Sequence, residues 1–175
     1  MSKSFQLKVT NLHWLEGVDN RDDYCAHGIV SLTIGNILHI DTAEPYCVSA
    51  AALLLLRSLD NGHKANGPIQ LIPHCGHTMW FDEHAYRRLL LTGCNTGIDW
   101  AVEIKDDKVS HGFENKTALS SFEEYKNEVL GFSEAVLNFY ATSLPKNKSD
   151  NEIERKGYEL FISEWQSLHD KLNKI

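Results

Sequence analysis

Histidine and cysteine crowd into one short segment of this chain, Leu71-Ile-Pro-His-Cys-Gly-His-Thr-Met-Trp80. His74, Cys75 and His77 lie there, Cys25 and His27 form a second group, and Cys94 stands in a third, Gly-rich stretch. Thiolate and imidazole are donors that suit tetrahedral zinc, and an imidazole beside a thiol also arms it as a nucleophile. Cys25, His27, His74, Cys75, His77 and Cys94 are therefore the candidate zinc ligands. The alternative chemistry is an enzyme centred on Cys75, with His74 and His77 as ligands or bases. Spacing argues against both. Structural zinc sites use ligand pairs with at least two residues between them, whereas Cys25-x-His27 and His74-Cys75-x-His77 are tighter. On a strand, adjacent His74 and Cys75 would point to opposite faces. No nucleophile elbow surrounds Cys75. The reading without chemistry makes Cys25, Cys75 and Cys94 small buried hydrophobes and places the histidines in hydrogen bonds at strand ends. It expects no cofactor and a binder rather than a catalyst.

The elements that must position these residues fit one domain over residues 1–175. Residues 4–14 alternate apolar and polar and predict a strand. Ile29–Ile34 and Ile37–Ile40, joined by Gly35-Asn36, predict a hairpin. Ser49–Asp60 is apolar on nearly every face and predicts a buried helix that stops near Gly62. A polar stretch, 82–88, follows the His/Cys segment. Residues 89–94 and 98–104 predict two strands turning through Asn95-Thr96-Gly97, and Asp106-Asp107 turns into a further strand over Val109–Phe113. Alternation places Ile98, Trp100, Val102 and Ile104 on one face, with Asp99 and Glu103 on the other. Ser121-x-x-Glu124 and Ser149-x-x-Glu152 predict capping boxes for two helices, the first ended by Pro145. The expected fold is α+β: a mainly antiparallel sheet with a helix near 49–60 over residues 1–118, then an antiparallel helical hairpin over 119–175.

Charge limits the function classes. The 24 acidic residues outnumber the 17 basic ones, giving a net charge of −7. That balance disfavours direct nucleic-acid binding and favours a basic partner. No Walker loop or G-x-G-x-x-G follows a strand, so phosphate binding is set aside. The longest apolar run, Val48–Leu56, is too short to span a membrane. The start, Met1-Ser-Lys-Ser-Phe5, has no apolar stretch behind it, so a cytoplasmic protein with reduced cysteines is expected. The sharpest charge bias is the loop 16–23, where Glu16, Asp19, Asp22 and Asp23 face one arginine. These four, then Asp99 and Glu103, are the candidate partner-binding residues. Trp14, Tyr24, Tyr46 and Trp80 lie near them as possible aromatic anchors.

A small acidic α+β chain without a catalytic signature resembles the bacterial immunity proteins. These are antitoxins that neutralise toxins of polymorphic and contact-dependent growth inhibition systems. The segments Cys25-Ala-His-Gly28, Ile72-Pro-His-Cys-Gly-His77 and Gly93-Cys-Asn-Thr-Gly-Ile-Asp-Trp100 are similar to motifs in a group of bacterial proteins of this length. The resemblance implies a stoichiometric inhibitor of a basic toxin domain, often a nuclease.

Overall fold

The structure, a computed structural model, describes residues 3–84 and 89–174. Residues 85–88 of the polar stretch expected after the His/Cys segment lie outside them. The class is α+β with mainly antiparallel sheet. Strand β1 (Phe5–His13) pairs antiparallel with β2 (His27–Ile34), which pairs in turn with β3 (Leu38–Asp41). The short β4 (Tyr46–Cys47) also pairs with β2, matching His27 to Cys47. Strict alternation in β2 buries Val30, Leu32 and Ile34 on one face. Of the two turn residues expected between β2 and β3, only Gly35 takes a positive φ, +49°, and the ladder resumes one residue later than the sequence suggests, at Leu38.

Helix α1 (Val48–Asn61) is the predicted buried helix, and it packs against two later helices as well as strands. Ala50, Ala51, Leu53, Leu55 and Leu56 are fully buried around its circumference. At Gly62, φ is +66° and the backbone N–H returns to the Ser58 carbonyl, closing the helix as expected.

The middle of the chain departs from expectation. Strand β5 (Ile72–Pro73) pairs with β8 (Gly97–Ile98), while β6 (His77–Phe81) pairs with β7 (Leu89–Gly93). The segments 89–94 and 98–104 therefore do not form a hairpin with each other. The predicted second strand is broken at Asp99 and resumes as β9 (Ala101–Lys105). The face assignment nevertheless holds: Ile98, Trp100 and Val102 are buried, and Glu103 is exposed. Strands β9, β10 (Lys108–Phe113) and β11 (Lys116–Ser121) form a second antiparallel sheet. Sheet thus runs to Ser121, past the boundary expected at residue 118.

Helices α2 (Phe122–Ala141) and α3 (Glu152–Leu172) form the antiparallel pair. Ser133 meets Trp165 and His169, while Tyr140 lies near Trp165 and Tyr158. The first capping box is half realised. Ser121 accepts from the Glu124 N–H at 3.1 Å, but the Glu124 carboxylate reaches β1, where it accepts from the Ser4 and Phe5 N–H groups. With Glu128 on the Leu7 N–H, this ties α2 to the free edge of β1. The second box is replaced: Asn151 caps α3 by accepting from the Ile153 N–H at 2.9 Å, and Ser149 bonds Glu154. Helix α2 ends at Ala141, short of Pro145.

Candidate functional site

Close to the end of α1, a cleft of about 1040 Å³ opens between the loop 61–66 and the β9–β10 sheet. A Cβ at residue 62 would lie 2.6 Å from the Val102 carbonyl oxygen, so only glycine lets the loop press against β9. His63 then exchanges backbone hydrogen bonds with Val102, both at 2.8 Å. Its Nε2 donates to Asp99 Oδ1 at 2.7 Å. Asp99 also accepts the N–H groups of Asn66 and Leu71, so this carboxylate pins the whole 63–71 loop. Glu103 and Glu114 line the same cleft. Glu103 is shared with an adjoining cavity of about 340 Å³, lined also by Asp106, Asp107 and Leu119.

The acidic loop 16–23 has a different role. Asp19 forms an ion pair with Arg21, and that contact holds its pKa down to about 2. Asp22 accepts from Asn147 at 2.7 Å. Asp23 accepts the Leu15 and Cys25 N–H groups at 2.7 and 2.9 Å. Lys146 bonds the Asn20 carbonyl and sits 3.0 Å above the Trp14 ring, and its burial lowers its pKa to about 8. The loop is thereby fastened to the α2–α3 connection. Asp22 takes part in that fastening, while Asp19 and Asp23 are occupied by bonds within and beside the loop. The neighbouring aromatics are used internally too. Trp14 is buried against Phe139 and Tyr140, Tyr24 stacks on Tyr158, and Tyr46 meets His74 edge-on. Trp80 alone of the four is well exposed, at 41%.

The six candidate zinc ligands are not gathered in one place. Among the described residues, no three His, Cys, Asp or Glu side chains are grouped to hold a metal ion. Cys75 and Cys94 are joined in a disulfide, so Cys75 is not a free thiol and the expectation of four reduced cysteines is corrected. Neither of the two is fully buried, which also corrects their reading as small core residues. The tight turn before β6 brings Cys75 opposite the end of β7, a pairing across elements that linear spacing did not show. His74 is exposed. His27 stands near His13, and its Nδ1 is buried without a hydrogen bond.

Cys25 and His77 do come together, joined by Cys47, which stands just before the apolar run and was not among the candidate ligands. The Cys25 thiol lies 3.3 Å from the His77 carbonyl and 3.4 Å from its N–H. Cys25 and Cys47, both free and buried, hydrogen-bond each other. That bond favours the Cys47 thiolate and holds its pKa well below the ordinary thiol range, with His77 acting the same way against burial. The same bond, with burial, raises the Cys25 pKa. His77 Nδ1 lies 3.1 Å from the Cys75 carbonyl, a pairing that places the proton on Nδ1. Its Nε2 is buried without a hydrogen bond. Gly93 makes room for this ring: a Cβ there would lie 2.7 Å from His77 Cε1.

No protein-family model, curated protein or solved structure matches this chain. Among the described residues, no helix is long and apolar enough to cross a membrane.

Proposed function

We propose that the protein is an immunity-type inhibitor that binds a basic toxin domain, such as a nuclease, against the β9–β10 face. One observation supports this reading above the rest. Glu103, Asp106, Asp107 and Glu114 line two adjoining cavities and have no side-chain partner among the described residues. With Asp60 and Asp99, six carboxylates surround these cavities against three lysines, Lys64, Lys105 and Lys108. An excess of negative charge around a concavity focuses its field and steers a cationic surface into place. Leu119, 59% exposed in the second cavity, adds an apolar contact. The contact set therefore keeps Glu103, adds Asp106, Asp107 and Glu114, and gives up most of the 16–23 loop, while Asp99 holds the cleft wall.

The test is capture from the native host with the wild-type chain and with a Glu103→Lys, Asp106→Lys double variant. The expected result is a basic protein held by the wild type, recovered at least tenfold less by the variant, and associating more slowly as salt rises. Equal recovery by both chains would remove this face from the interface.

The His63–Asp99 pair supports a second reading, an acid–base catalyst acting in the same cleft. A carboxylate-oriented imidazole in a cavity wall is suited to proton transfer. His63→Gln separates the two readings, because binding survives that change and turnover does not.

A further inference from the structure

Cys25, Cys47 and His77 form a chemically competent group that lies almost wholly beneath the surface, with His77 on the wall of a cavity of only about 140 Å³. Cys47 is fully buried, and Cys25 and His77 are each 8% exposed. A nucleophile enclosed in this way can react only with something the protein itself brings to it. The Cys75–Cys94 disulfide is that partner. Cys25 Sγ is held against the backbone of residue 77, two residues from Cys75. A Cβ at Gly76 would lie 3.8 Å from Cys25 Sγ, so the chain beside Cys75 passes directly over this thiol. The His77 ring bridges the two sulfur pairs, bonded through Nδ1 to the Cys75 carbonyl and seated on Gly93, the neighbour of Cys94. Its ring acts on Cys47, the thiol to which Cys25 is bonded, so the imidazole reaches the attacking sulfur through the Cys47 sulfur.

We propose that Cys25 and Cys47, with His77 as base, form an internal thiol–disulfide exchange site that moves the disulfide from Cys75–Cys94 to Cys25–Cys47. Cys25 gives its proton to the bonded Cys47 sulfur, which His77 supports, and the Cys25 sulfur attacks one sulfur of the Cys75–Cys94 bond. That bond breaks, the other cysteine leaves as a thiolate, and Cys25 is held in a mixed disulfide. Cys47 then attacks Cys25 Sγ and releases the second cysteine. Two thiols and one disulfide enter, two thiols and one disulfide leave, and the two protons pass to Cys75 and Cys94. No outside oxidant takes part. Cys75 precedes β6 and Cys94 follows β7, so the bond staples the base of that hairpin, and its transfer frees the hairpin while tying the start of β2 to β4.

The experiment starts from full-length protein carrying the Cys75–Cys94 bond, held anaerobically with a metal chelator. Samples are acid-quenched, alkylated under denaturing conditions and mapped by mass spectrometry. The expected result is a Cys25–Cys47 bond growing in step with alkylated Cys75 and Cys94, at a rate unchanged on tenfold dilution. In Cys47→Ala the reaction halts at a mixed disulfide of Cys25 with Cys75 or Cys94, and in Cys25→Ala neither product forms. His77→Gln slows the transfer at least tenfold while the resting chain keeps its circular dichroism. A wild-type chain in which Cys75–Cys94 persists unchanged would overturn the proposal without reference to any variant. A Cys25–Cys47 bond that forms only with added oxidant, with Cys75–Cys94 intact, would overturn it equally.

Discussion

At the scale of single residues, burial decides what each titratable group does. His111 is fully enclosed, accepting from Trp100 Nε1 at 3.3 Å, bonded to Ser120 at 2.9 Å, and stacked on Phe5. Burial lowers its pKa from 6.5 to about 4. Between those values the unfolded chain binds a proton that the folded one refuses, so this stability is complete above pH 6.5 and drains away as pH falls toward 4. The full loss is on the order of 3 kcal/mol. Glu124 is held below the ordinary 4.5: burial opposes this, but its bonds to Ser4 and Phe5 outweigh it. Its contribution therefore disappears at lower pH, and the first part of the drop belongs to His111. Urea titrations from pH 7 to 4 should show the decline, and His111→Gln should flatten it above pH 4.5. An unchanged slope in the variant would assign the decline to other groups.

At the scale of elements, two glycines inside helices make opposite predictions. In α3, a Cβ at Gly157 would lie 2.0 Å from the Met79 carbonyl oxygen of β6. Gly157→Ala must push the helix off the β6–β7 hairpin and should cost about 1–3 kcal/mol or more. In α2, a Cβ at Gly131 would meet nothing within 4 Å, so Gly131→Ala should stabilise by about 0.5–1 kcal/mol through helix propensity. Chemical denaturation of both variants checks the pair, and two shifts of the same sign would refute the packing argument.

Element identity was largely legible in the sequence, because periods of two and of 3.6 residues survive wherever one face is buried. The all-apolar α1, the alternating β2 and the two C-terminal helices were read this way. Pairing partners were not legible between residues 72 and 105. Strands of two to five residues carry too little pattern to name their neighbours, and Pro73 and Gly97 mark ends rather than partners. The site was legible in chemistry but not in grouping. Asp99 and Glu103 were found from alternation, whereas His63 offered no signal beyond a lone histidine in a Gly-Asn loop. Cys47 was hidden because a cysteine before an apolar helix reads as one more small hydrophobe.

At the scale of the whole molecule, α1 belongs to no separable part. It packs against β2, β5 and β9 on the sheet side and against both C-terminal helices. Arg57 at its end forks onto Glu164 of α3, both contacts at 2.7 Å. A chain stopped after residue 148 lacks α3 and should leave α1 open to proteases, which limited digestion would detect. Protection equal to the full chain would show that α1 is sheltered without α3. During synthesis, the segment Val48–Leu56 leaves the ribosome long before Phe161 and Trp165 are made. Throughout that interval it is a bare oily stretch of the kind holding chaperones seize, so the yield of this protein in a cell should track chaperone supply more closely than its finished stability would suggest.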